Sequence, residues 1–173
     1  MKIQICKDVL ARIESGFFHP ITGDYLAIDE NYFVGDNVNL KEFLEQSYLC
    51  EGCALGGLFT AHVLRFNNVY CSGRITDSPG MRRVLEEHFS KEELYLIEAY
   101  FEAGCLFGPA TNKFMCRQRS PIDRLTLILH NIIDNGEFQP EKLPGLEDVK
   151  QKDFDETRKT SLEYYKEIFR KDY

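Results

Sequence analysis

Six cysteines and four histidines supply the nucleophilic and metal-ligating side chains of this 173-residue chain. Cys50 and Cys53 form its single Cys-x-x-Cys pair, within Leu49-Cys50-Glu51-Gly52-Cys53-Ala54-Leu55-Gly56-Gly57-Leu58-Phe59. An almost wholly apolar run follows, through Leu64 and Phe66, and predicts a helix that starts at Cys53. At a helix N-terminus the unpaired N–H groups and the macrodipole favour a thiolate. A cysteine nucleophile also needs a base, and histidine is the usual one. His62 lies nine residues along the same helix. That separation is about 13 Å of rise and puts the two side chains on opposite faces. His88 and His130 remain as the partners that a fold could bring to Cys53, so a cysteine-dependent enzyme would rest on Cys53, His88 and His130. Both histidines equally suit a satisfied, half-buried role in packing.

Two other thiol chemistries are less well served. Zinc takes four ligands, commonly as two pairs, and no second pair follows Cys50 and Cys53. Cys71, Cys105 and Cys116 are scattered, so no metal and no cofactor is expected. Thiol–disulfide exchange at a helix start belongs to a βαβ frame that this chain lacks. All-helical thiol peroxidase-like proteins place a histidine four residues after the second cysteine, where this chain has Gly57. Met1 to Asp8 lacks the apolar core of a secretory signal, so reduced thiols in the cytosol are the expectation. The plainer reading of Cys50 and Cys53 is that small residues in succession allow close helix contact.

A third chemistry is anion binding. Residues 71–136 hold eight basic and nine acidic side chains, against five and nine in residues 1–70. Lys113, Arg117, Arg119 and Arg124 cluster around one acid, Asp123, and Arg74, Arg82 and Arg83 form a smaller group. Both groups lie next to a Ser-Pro dipeptide, Ser78-Pro79 or Ser120-Pro121, that predicts a helix start. Arginines beside a helix N-terminus can hold a phosphate, so Arg74, Arg117, Arg119 and Arg124 are candidate ligands for a small anion or nucleotide. An ordinary solvated loop explains them too.

The elements that must position these side chains are mostly helical. Ile3, Cys6, Leu10 and Ile13 recur at helical spacing up to Gly16. Turn signals at His19-Pro20, Thr22-Gly23 and Gly35-Asp36 predict a short hairpin or loop over 17–36. Asn39 with Glu42 opens a second helix, and 53–66 is a buried central one. Gly56 and Gly57 within it predict that another helix crosses there at close range. Further helices start at Ser78, at Ser90 with Glu93, and at Ser120, the last closing at Asn135-Gly136. Phe154, Leu162, Tyr165, Ile168 and Phe169 line one side of a terminal helix. The reading is a mostly-α single-domain bundle of about six or seven helices. Residues 1–150 form the helical domain, and 151–173 an amphipathic helix docked on it or on a partner.

Composition excludes several functions. Hydrophobic residues at 43% and charged residues at 28% match a chain that buries a core. A net charge of -7 argues against a general nucleic-acid coat, which needs clustered cations. No run approaches the roughly 20 apolar residues of a membrane span.

Cys53-Ala54-Leu55-Gly56-Gly57-Leu58-Phe59, with the helix from Ser90 to Glu102 and the stretch from Arg124 to Gly136, resembles a group of small bacterial and bacteriophage proteins. These share a Cys-Ala-Leu-Gly-small-Leu helix, and no activity is attached to them. The resemblance implies a cytosolic accessory protein of a phage or bacterium. Without a complete catalytic constellation, the expected function is non-enzymatic binding to a protein partner, or self-association.

Overall fold

The computed structural model describes residues 1–27, 38–46, 49–66, 70–71, 78–103, 119–144 and 150–169. These are mostly helical: seven α-helices, one short 3-10 turn and two two-stranded pairs. The chain forms two compact units, Met1–His88 and Phe89–Tyr173. No helix among the described residues is long and apolar enough to cross a membrane.

The first unit begins with α1 (Lys2–Glu14), which buries Ile5, Cys6 and Val9 at helical spacing. Gly16 ends it with φ 76°, a left-handed conformation in which a side chain would be strained. The chain then enters β1 (Phe18–Pro20), which pairs in parallel with β3 (Cys50–Gly52), Phe18 opposite Cys50 and Pro20 opposite Gly52. On the far side of β3, Ala27 and Glu51 form an antiparallel bridge with N–H to O distances of 2.7 and 3.1 Å. Residues 17–27 therefore embrace β3 from both edges, rather than pairing with each other as a hairpin. The turn signals do reverse the chain, Gly23 taking φ 93°, but the strand between the two arms comes from elsewhere in the sequence. Residues 28–36 of the predicted segment lie outside the described residues.

A second pair joins β2 (Val38–Asn39) to β4 (Tyr70–Cys71) in antiparallel register. Asn39 ends β2 directly before α2 (Leu40–Gln46), with the extended backbone of an N-cap residue. The central helix is α3 (Ala54–Phe66), buried at every residue from Ala54 to Val63. It packs against α1, α2 and α4 (Ser78–Leu85). Arg65 in its last turn donates to Asp8 of α1 through Nε and Nη2, at 2.7 and 2.9 Å, a two-pronged link between the helices.

The crossing expected at Gly56 and Gly57 is of another kind. A Cβ on Gly56 would overlap the Tyr25 carbonyl oxygen, and one on Gly52 would lie 2.5 Å from that same atom. The close neighbour is thus loop backbone. A Cβ on Gly57 would lie 2.9 Å from the Phe18 ring and 3.4 Å from Val9 of α1.

The second unit holds α5 (Lys91–Ala103), α6 (Pro121–Asn135) and α7 (Gln151–Phe169), with the 3-10 turn at Pro140–Lys142. Ser90 Oγ accepts the Glu93 N–H at 3.1 Å, while the Glu93 carboxylate accepts the Phe138 N–H at 2.9 Å. Helix α6 has a complete capping box between Ser120 and Asp123, Pro121 in its first turn, and Gly136 at φ 81° as its stop. Beyond the stop, Asn131 clamps the Gln139 backbone, its Oδ1 accepting N–H at 2.7 Å and its Nδ2 donating to C=O at 2.9 Å. Phe138 is thereby held edge-on to Tyr100, ring centres 5.9 Å apart. Helix α7 packs on α5, with Lys166 Nζ 3.8 Å from Glu92.

Candidate functional site

Cys53 directly precedes α3 and its carbonyl accepts the Gly57 N–H at 3.0 Å, so it sits at the helix N-terminus. That end is closed. The Cys53 N–H points at the carbonyls of Asp24 and Tyr25, at 2.8 and 3.3 Å, and the residue is 2% exposed. Gly52 and Gly56 make this possible, since either side chain would evict the Tyr25 carbonyl. Two loop carbonyls thus take up the Cys53 N–H, and the residue is closed off from solvent.

Cys50 lies in β3 and is wholly buried. Three residues of extended chain separate Cα atoms by about 10 Å, beyond the roughly 7 Å limit for a disulfide. The two cysteines and Cys6 are reduced and buried. Burial pushes the Cys50 thiol pKa above its ordinary value of 9.0, outweighing the charge and hydrogen bond of Arg12, which act the other way. The Cys50 sulfur is thus a protonated thiol at neutral pH.

His88 packs elsewhere on α3. Its ring centre is 5.3 Å from that of His62 and 5.4 Å from that of Phe66, while His62 and Phe66 are 4.6 Å apart. The three rings cluster at the C-terminal half of the helix, and His62 is about 13 Å of helical rise from Cys53. The structure therefore gathers His88 with His62 and not with Cys53. His130 is exposed on α6, in the second unit. No group of three or more His, Cys, Asp and Glu side chains among the described residues could hold a metal ion.

The arginines divide three ways. Arg74 and Arg117, with Lys113, lie outside the described residues. Arg124 is occupied as a helix cap: its Nη1 donates to the carbonyls of Phe101 and Glu102 in the last turn of α5, and its Nε to the Arg119 carbonyl at 3.0 Å. A cation at those helix-end carbonyls also complements the helix dipole. Arg124 was expected to face a ligand, and it faces backbone instead. The N-terminus of α6, the expected anion cradle, carries its own anion, since the Asp123 carboxylate accepts from the Ser120 N–H and Oγ. Arg119 is half-buried beside it. Arg82, grouped by sequence with Arg74 and Arg83, is buried in the first unit. Its Nη2 donates to the Tyr25 hydroxyl at 3.2 Å, and its guanidinium lies 6.0 Å from that ring.

Two features escaped the sequence reading. Tyr25 organises the first unit, its carbonyl between Gly52 and Gly56 and its hydroxyl on Arg82. Gly56 and Gly57 signalled a close approach, but nothing local named Tyr25 as what approaches. Phe17 and Leu49 are the other feature. They precede the paired residues Phe18 and Cys50, so they stand side by side at one end of β1 and β3. Both are large, apolar and about half exposed, at 46% and 48%. The chain matches no family model, no curated protein and no solved structure.

Proposed function

We propose that the protein is a non-enzymatic helical binding protein whose first unit engages a protein partner through the end of β1 and β3. The observation that supports this reading is the exposed pair Phe17 and Leu49, each directly preceding one of the two paired parallel strands. The strands hold the pair in place, because the Phe17 carbonyl accepts the Cys50 N–H at 3.2 Å. The Arg12 guanidinium lies 5.9 Å from the Phe17 ring centre. Burying a Phe or Leu fully is worth about 1.5–3 kcal/mol, and a partner would gain the part still unrealised here. The closed start of α3 and the protonated Cys50 thiol favour binding over cysteine chemistry. The net charge of -7 favours a protein over nucleic acid as the partner. The accessory role in a phage or bacterium rests on the resemblance at 53–59.

A photo-crosslinking phenylalanine analogue in place of Phe17 tests the reading. Adducts to one protein species are expected, a second copy of the chain being one such species, and they should disappear when Leu49→Ser is added. Equal adducts from exposed Ile122 on α6, or no adduct from position 17, would overturn it. So would loss of a measured activity in Cys53→Ala with the fold intact.

A further inference from the structure

We draw no further inference here: the strongest candidate, the His62–Phe66–His88 ring cluster at the C-terminal half of α3, joins two imidazoles with no third metal-ligating side chain among the described residues, and nothing in the structure separates a proton- or metal-binding role from core packing.

Discussion

The two compact units make their characteristic polar contacts over different sequence distances. In the second unit the stops and starts are local: Ser120 with Asp123, Gly136 with Ile132, Asn131 with Gln139 eight residues on. In the first unit the decisive contacts are remote. Asp8 meets Arg65 and Tyr25 meets Arg82, each pair 57 residues apart, and the Tyr25 carbonyl fills the gap left by Gly52 and Gly56. The second unit has remote contacts of its own, Glu93 with Phe138 over 45 residues, Arg124 with Phe101 over 23, and Lys166 with Glu92, but the first two involve residues that cap helix ends. A unit built from local motifs announces its helices in the sequence. A unit built around one threaded loop announces only where space has been left.

The contrast can be broken most forcefully at Gly56. Gly56→Ala drives a Cβ into backbone that cannot rotate away, so a loss of about 3 kcal/mol or more is expected in urea unfolding. A loss below about 0.5 kcal/mol would mean that the loop yields freely and the remote contacts are not decisive. The matching test in the second unit is Asn131→Ala, which strips the Gln139 backbone of both partners. About 2 kcal/mol should be lost, and a near-neutral result would show that the turn after α6 holds by packing alone.

A smaller effect concerns pH. The Cys50 thiol is harder to ionise when folded than when unfolded. Its contribution is intact below the unfolded pKa and is lost as pH rises from there through the folded value. The urea midpoint should therefore fall above about pH 9, and it should fall less in Cys50→Ala. Identical alkaline slopes would remove Cys50 from the buried strand pair. The smallest effect is a gain: Gly80 in α4 faces open space, so Gly80→Ala should stabilise by about 0.5 kcal/mol. If it destabilises, the surroundings of α4 are tighter than described.

The legible parts of the sequence follow the same division. Ser-Pro with a following acid, and Asn-Gly after an apolar period, place α6 because capping and left-handed stops are decided within one turn of chain. The run from Ala54 to Phe66 identified a buried helix because it has no polar face. Residues 17–36 were read as a short hairpin or loop because turn residues encode reversal and not the identity of the strand between the arms. Arg82 was grouped with other basic residues and Arg124 was a candidate anion ligand because a charge is visible in sequence, whereas a tyrosine hydroxyl or a set of helix-end carbonyls within reach is not. For the candidate site, the position of Cys53 at a helix start was legible. Its closure by the carbonyls of Asp24 and Tyr25 was not.

The embrace of β3 also sets an order of events in synthesis. The arms at 18–20 and 27 leave the ribosome before the strand they enclose, and roughly thirty residues must follow before their hydrogen bonds can form, a long loop to close for so helical a chain. Until then Phe18 and the neighbouring strand edge have no strand to pair with. The first unit should fold more slowly than its helix content suggests, and a chaperone that shields its early N-terminal segment would act on this interval.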